Sequence, residues 1–317
     1  MSNEPLPFLP EPELMAPPAP PKKSAWKTLL LWVILVVMFL TIWQFLTPDG
    51  SATPEPALPP CAPPPAWQTV APYAAFIAIL FLLYRWFVRT YQQSVDYNVG
   101  QEPGRLAVAE RRFGAAIDVF TRTQAAYAKQ AAYEGAASIS LGNAQLWAGR
   151  LDEAISTFAT LERKRAVLFS SSIRTLASVH LTLAQALAGQ LDASERWASE
   201  TRSRIAKNRD DRIDYAARLC LAEAVVLLRR GRAEDASALL ERNWTIMREI
   251  LNGNTMRAAE VLSAFAESTR GVRQSNTMAE RLLRIEPTLP GDFAFLGVKW
   301  PEMQAFLDAH GLGAPAR

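Results

Sequence analysis

The chain has little of what most catalytic or metal sites need. It contains only two histidines, His180 and His310, and two cysteines, Cys61 and Cys220. These residues stand too far apart for a helical metal pair, a disulfide framework or a nucleophile beside a base. The phosphate-cradling GxxxxGK, the dinucleotide-binding GxGxxG and the GxSxG motif of hydrolases are absent as well. We therefore predict a protein that is not an enzyme, with no catalytic residue, no metal and no cofactor.

A large excess of positive or negative charge is also lacking. The formal net charge is +3, which gives no reason to expect a nucleic-acid partner. The acid pairs at 152–153 and 234–235 precede apolar helical patterns, and acids in a first turn complement the helix dipole. The basic runs at 163–165 and 229–232 complement helix C-termini or contact anionic lipid headgroups. None of these runs predicts a reaction.

Two long apolar runs occupy the first 90 residues. Residues 28–46 are 19 positions without a charged side chain, and a helix of that length spans roughly 30 Å, about one bilayer core. Residues 69–88 form a second run, in which the one charged side chain, Arg85, lies a single turn from the end. A long side chain placed there reaches the membrane interface. Both runs are predicted transmembrane helices, and Ala74 and Ala78 have the spacing of either helix packing or ordinary lipid contact.

Proline-rich segments flank the first run. Residues 1–27 are predicted to form a disordered tail, or a ligand for an aromatic groove through the PxxP spacing of Pro18 and Pro21. Residues 47–68 carry eight prolines and are predicted to form an extended loop. Cys61 in this loop either pairs between chains or is incidental.

The basic residues beside the two runs predict their orientation. Lys22, Lys23 and Lys27 precede the first run, Arg85 and Arg89 close the second, and the loop between them has neither Lys nor Arg. By the positive-inside rule, both ends of the hairpin are cytoplasmic and the loop is extracytoplasmic. The abundance of Arg and Ala is typical of a GC-rich bacterium, so we expect an integral protein of the bacterial inner membrane.

Beyond a linker at 89–103, in which we expect Gly100, Pro103 and Gly104 to break the helix, the pattern is helical and repeated. Residues 138–152 and 178–192 are identical at eight of fifteen positions. Further copies of the turn follow Arg112 and Gly231, and the spacing is 38 to 42 residues. Helix pairs that recur in this way stack on their neighbours, because one pair alone cannot bury its apolar face.

Leu141-Gly142, Gly149, Ala154 and Phe158 stand in an order that resembles the tetratricopeptide-repeat family. The small residues let two helices approach closely, and Phe158 fills the space beside them. The resemblance covers 104–287, although its period exceeds the 34 residues usual in that family. It implies a stack of helix pairs with a concave groove. The predicted fold is thus all-α: a two-span transmembrane hairpin followed by an α-solenoid.

In that family the first helix of each pair lines the groove. The resemblance therefore implies a groove formed by Ile139, Asn143, Leu146, Trp147, Val179, Leu183, Leu187, Leu221, Val225 and Arg229. This face is largely apolar and suits an amphipathic helix or an extended peptide. The lysines of the family's carboxylate clamp are absent. Two alternatives stay open: these residues are core, or the tail at 288–317, with its short helix at 301–309, covers them.

These patterns favour a membrane-anchored adaptor that docks a protein or peptide partner at the cytoplasmic face. The alternative is a structural subunit of a membrane transport, secretion or envelope-assembly complex. Whether the chain also self-associates is left open, because incomplete repeats complete themselves on a second copy.

Overall fold

The computed structural model describes residues 66–164, 171–207, 212–251, 253–270, 276–285 and 291–313. Side chains are described from residue 74, with the exception of residue 75 and a few positions beside the gaps. Every regular element in these ranges is helical, which confirms the predicted all-α class. The contacts divide the described residues into two units, 66–96 and 97–313.

The first described helix, α1, runs from Ala66 to Ala109. The expectation that Gly100, Pro103 and Gly104 break this helix was wrong. Tyr97, Gln101 and Gly104 are buried at helical spacing, and their packing outweighs the cost of an internal proline. A Cβ added to Gly104 would lie 2.6 Å from Phe120, so this glycine is needed for close packing and is not a break in the helix.

The other helices of the described ranges lie in the part of the chain where the sequence pattern is helical. They are α2 Phe113–Ala126, α3 Ala131–Trp147, α4 Leu151–Arg163, α5 Ser171–Leu187, α6 Leu191–Lys207, α7 Arg212–Arg229, α8 Ala233–Ile250, α9 Gly253–Thr269, α10 Asn276–Arg284, α11 Ala294–Gly297 and α12 Pro301–Ala309. The short helix expected at 301–309 is confirmed as α12. The single turn α11 was not predicted.

From α2 to α10, each helix packs on the next one along the chain. The odd-numbered helices α3, α5, α7 and α9 also contact one another in order. The described helices therefore form a solenoid-like stack of pairs, in which the first helices of successive pairs lie side by side.

The turns between paired helices share one backbone conformation. Gly149, Gly189 and Gly231 have φ of 75°, 81° and 73°, and the amide that follows each glycine donates to a carbonyl five residues earlier. This is the Schellman arrangement that ends helices on a left-handed residue. The first turn has the same bonds but carries Arg111 in the glycine position, with φ of 61°.

A glycine and an aromatic ring hold each of two helix pairs together. A Cβ on Gly142 would lie 2.6 Å from Phe158, and Phe158 is completely buried. Gly104 and Phe120 repeat this contact with the same separation along the chain. The prediction that small residues admit close approach beside Phe158 is confirmed.

Within the described residues, no helix is both long enough and apolar enough to cross a membrane. The predicted span at 28–46 and the proline-rich segment 1–27 lie outside the described residues, as does most of the loop at 47–68. The predicted span at 69–88 falls within α1, where Ile77, Leu82, Tyr84 and Trp86 are each more than half exposed.

Candidate functional site

The groove residues come from the first helices of successive pairs, which the solenoid places side by side. Seven of the ten predicted residues line one cavity: Asn143, Leu146, Trp147, Val179, Leu183, Leu187 and Leu221. Ile139 and Val225 do not line it and are buried in the core. Arg229, the tenth, lies at the end of α7 and contacts the tail. The structure thus brings most of the predicted groove together in one place.

The groove is occupied by the chain's own C-terminal segment, residues 291–313, called the tail below. Phe295 of α11 packs on Trp147, with the ring centroids 4.6 Å apart. Phe265 of α9 meets Trp300 at 5.2 Å and Phe306 at 5.4 Å. Both alternatives left open by the sequence are found: Leu146, Val179, Leu187 and Leu221 are buried in the core, and the tail covers this face.

Asp292 anchors the beginning of the tail to two distant parts of the stack. Its carboxylate forms ion pairs with Arg111, from the first turn, and with Arg257 of α9. The Asp292 side chain is only 6% exposed. A carboxylate buried this deeply is stable when it is paired with opposite charge, so Asp292 joins the first turn to α9.

Two further contacts hold the middle of the tail. Arg229 donates hydrogen bonds to the carbonyl oxygens of Leu187, at 2.6 Å, and of Lys299, at 2.7 Å. Its guanidinium carbon lies 5.1 Å from the ring centroid of Trp300. The ammonium of Lys299 contacts both carboxylate oxygens of Asp152 at 2.7 Å.

The two other arginines of the run at 229–232 also have partners within the protein. Arg230 contacts Asp192 and Glu195, and Arg232 contacts Asp235. Arg229 meets a carbonyl at the end of α5, a neighbouring helix, so the compensation of helix C-termini is partly between helices.

A small cavity remains between the tail and the helices. About 60 Å³ is open to the centres of water-sized spheres, which is room for a few water molecules. Asn143, His180, Arg218 and Thr255 are its polar lining. Burial and, to a smaller extent, the positive charge of Arg218 lower the pKa of His180 to about 3. This imidazole is therefore neutral at physiological pH, and it stacks on Phe158 with centroids 5.4 Å apart.

A second set of buried titratable groups lies away from the groove. Arg202 donates two hydrogen bonds, of 2.9 and 2.6 Å, to one carboxylate oxygen of Glu223. The other oxygen has no hydrogen-bond partner among the described residues. Burial raises the pKa of Glu223 to about 8, against the lowering effect of Arg202. Burial likewise raises the pKa of the Cys220 thiol well above its usual value. The described residues contain no cluster that could hold a metal ion.

Sequence reasoning missed the residues by which the tail is held. Arg111, Arg257 and Asp292 come from segments far apart in the chain, and no repeat pattern connects them. One available signal was the aromatic density of the tail, where Phe293, Phe295, Trp300 and Phe306 fall within fourteen residues. Four large aromatic side chains in one short segment are unfavourable in water, so this density indicates a docked segment.

The comparisons with known proteins give one short similarity. No family model matches the chain, and no solved structure matches it. The ATP-dependent zinc metalloprotease FtsH 4 of Sorangium cellulosum (strain So ce56) is 68% identical to this chain over 28 residues. That stretch is 9% of this chain and 4% of the metalloprotease. The similarity is therefore to a small piece of a much longer protein.

Proposed function

We propose that this protein is a membrane-anchored adaptor, whose tetratricopeptide-like repeat domain docks a protein or peptide partner at the cytoplasmic face. The observation that carries the proposal is the groove: four first helices lie side by side, and their facing residues form a largely apolar site with few polar groups, which the tail covers. Surfaces of this kind bind amphipathic helices and extended peptides. An anchored domain also raises the effective concentration of its partner at the membrane.

Two features support the membrane anchor. Residues 28–46 carry no charge over 19 positions, which is enough for one bilayer crossing. In α1, large apolar side chains are exposed at consecutive positions, with Phe81, Leu82 and Leu83 at 59%, 63% and 55%. Water does not favour a helix that is apolar on every side, whereas lipid does. The basic residues on the outer flanks of the two runs orient both ends toward the cytoplasm.

The anchor and its orientation can be tested with the two cysteines of the chain. We expect the protein to stay in the membrane pellet after alkaline carbonate extraction. A membrane-impermeant maleimide added to spheroplasts should label the chain at Cys61, and Cys61→Ser should abolish the labelling. Cys220→Ser should leave it unchanged, because Cys220 is buried. Release by carbonate, or labelling of Cys61 only after lysis, would contradict the proposal.

The second candidate is a structural subunit of a transport, secretion or envelope-assembly complex, in which the exposed apolar residues of α1 pack on other spans. Proximity labelling separates the two candidates if the intact chain is compared with residues 90–317. The fragment begins at 90 because Tyr97 and Gln101 of α1 are buried; its circular dichroism should first be matched to that of the intact chain. An adaptor recovers the same cytoplasmic protein with both, whereas a membrane subunit recovers membrane proteins with the intact chain alone.

A further inference from the structure

The tail contacts the groove in the manner of a docked peptide. In α12, Met303, Phe306 and Leu307 are buried, whereas Glu302 and Asp308 are exposed. Buried positions at i, i+3 and i+4 are those by which an amphipathic helix enters an apolar groove. The helix pairs of the stack are related by repetition along the chain, whereas the tail is not part of that repetition and crosses several pairs.

The tail packs closely on the groove but does not fill it. Leu296, Met303 and Leu307 are as deeply buried as Leu151, Phe158 and Leu181 in the stack. Beside Phe295 and Leu296, the cavity with room for a few water molecules remains. Protein interiors are close-packed, and an unfilled contact forfeits dispersion energy. The groove therefore retains space that its present occupant does not use.

Arg111 indicates that the beginning of the tail is held at a cost to the backbone. The three equivalent turns have glycine, with left-handed φ, in this position. Arg111 adopts the same conformation with φ of 61°, which costs a residue with a side chain on the order of 1–3 kcal/mol. Arg111 forms the ion pair with Asp292, and a glycine in this position could not form it.

We propose that the tail is an intramolecular ligand of the groove and that the partner carries the same chemistry. The partner segment is then a short amphipathic helix with aromatic anchors, preceded by an acidic residue that meets Arg111 and Arg257. Partner and tail exclude one another, so docking requires release of the tail. This inference rests on the proposed function, since it specifies the partner class and the regulation of the same groove.

The chemistry of the groove selects for such a segment. Trp147 and Phe265 offer aromatic faces to aromatic side chains, and such pairs prefer the edge-on geometries observed here. Arg229 offers a cation to an indole and a donor to a backbone carbonyl. Because the tail is tethered, its local concentration is high, and a free partner segment binds the competent state only in proportion to its population.

The test uses the full chain in detergent with a specific protease site inserted between residues 287 and 288. This insertion changes none of the contacting residues named above. The probe is a fluorescein-labelled peptide of residues 291–313, and its binding is followed by anisotropy before and after cleavage. We expect cleavage to strengthen apparent binding at least about tenfold, because the resident tail loses its tether. A peptide with Phe295→Ala and Trp300→Ala is the matched control and should not bind.

A second protein covers the case in which the cleaved tail stays in the groove and exchanges only slowly with the labelled peptide. In it, the cleavable chain also carries Asp292→Asn and Trp300→Ala, which weaken the resident tail and leave the groove helices unchanged. This protein should bind the wild-type peptide tightly and retain its helical circular dichroism. If neither cleaved protein binds the peptide, or if the helices unfold when the tail leaves, the tail is core and the inference is wrong.

The remaining outcomes separate this inference from the proposed function. Light scattering that shows the uncleaved chain as a dimer, with peptide binding only on dissociation, would make a second copy the occupant and overturn the inference. Failure of peptide exchange would not affect the anchored-adaptor proposal, which stands or falls on carbonate extraction, cysteine labelling and partner recovery. Conversely, peptide exchange in a protein that is extracted by carbonate would support the groove inference and contradict the anchor.

Discussion

Arg229 lies over the indole of Trp300, with its guanidinium carbon 5.1 Å from the ring centroid. The same side chain donates to the carbonyl oxygens of Leu187 and Lys299. One residue at the end of α7 thereby joins the end of α5, the groove and the tail. Hydrogen bonds from a charged donor are among the stronger ones, and carbonyls deprived of them are costly when buried.

Replacing Arg229 should weaken the tail more than replacing its neighbour. Arg229→Ala removes the donor to both carbonyls and the cation beside Trp300, so we expect a loss on the order of 2–3 kcal/mol in unfolding free energy. Arg230→Ala is the control, because Arg230 is exposed and its contacts with Asp192 and Glu195 are on the surface. Urea unfolding of both variants in detergent measures the difference, and equal losses would contradict the role given to Arg229.

Gly142→Ala should destabilise the second helix pair. The added Cβ would lie 2.6 Å from two atoms of the fully buried Phe158 ring, and overpacking of this kind costs roughly 1–3 kcal/mol. Gly114→Ala is the matched control, since a Cβ there meets nothing within 4 Å. That substitution should be neutral or stabilise α2 by about 0.4–1 kcal/mol through the unfolded state. Thermal unfolding monitored by circular dichroism distinguishes the two, and a Gly142→Ala protein as stable as wild type would show that the ring moves freely.

The sequence predicted the helix pairs because their signals are local. The pattern of the tail placed α12 at Pro301–Ala309, with the bounds that the structure shows, and the turn predicted after Gly231 lies between α7 and α8. The prediction of a helix break at Gly100 and Pro103 was wrong, because their local preference is outweighed by the tertiary burial of Tyr97 and Gln101.

The groove residues of the site could be predicted from the sequence, whereas the tail that covers them could not. The seven lining residues follow from the repeat register, since equivalent positions of stacked pairs face the same way. The occupant did not follow, because the ion pairs of Asp292 join residues separated by long stretches of chain. Contacts of that kind leave no period in the sequence.

Arg111 and Asp292 should be coupled in a double-mutant cycle. Asp292→Asn removes the ion pairs with Arg111 and Arg257 and should destabilise the protein, because it takes one negative charge away from two partly buried guanidinium groups. In that background, Arg111→Gly should be stabilising by about 1 kcal/mol, because it relieves the left-handed backbone. In the wild-type background the same change also removes the ion pair, so the gain should be smaller or reversed.

The four proteins of this cycle are compared by their unfolding free energies. Asp308→Asn serves as the control for the loss of a tail carboxylate, since Asp308 is exposed. A non-zero interaction energy is the expected sign of the contact. An identical effect of Arg111→Gly in both backgrounds would show that the ion pair contributes nothing.

Glu223 should make stability fall as the pH rises. Burial raises its pKa from 4.5 to about 8 in the folded protein, while in the unfolded chain it ionises near the ordinary value. Between these two pH values the folded state holds a proton that the unfolded state releases. The contribution is therefore complete below about pH 4.5 and is lost progressively as the pH approaches 8. The slope is at most about 1.4 kcal/mol per pH unit.

Glu223→Gln imitates the protonated carboxyl and should abolish this slope. The measurement is the difference in unfolding free energy between wild type and variant at pH 5, 6, 7 and 8, which cancels the titration of all other groups. We expect the unfolding free energy of the variant to rise relative to that of wild type at each step upward in pH. A flat difference would mean that Arg202 keeps the carboxylate ionised in the folded protein, and that the buried pair is a true ion pair at neutral pH.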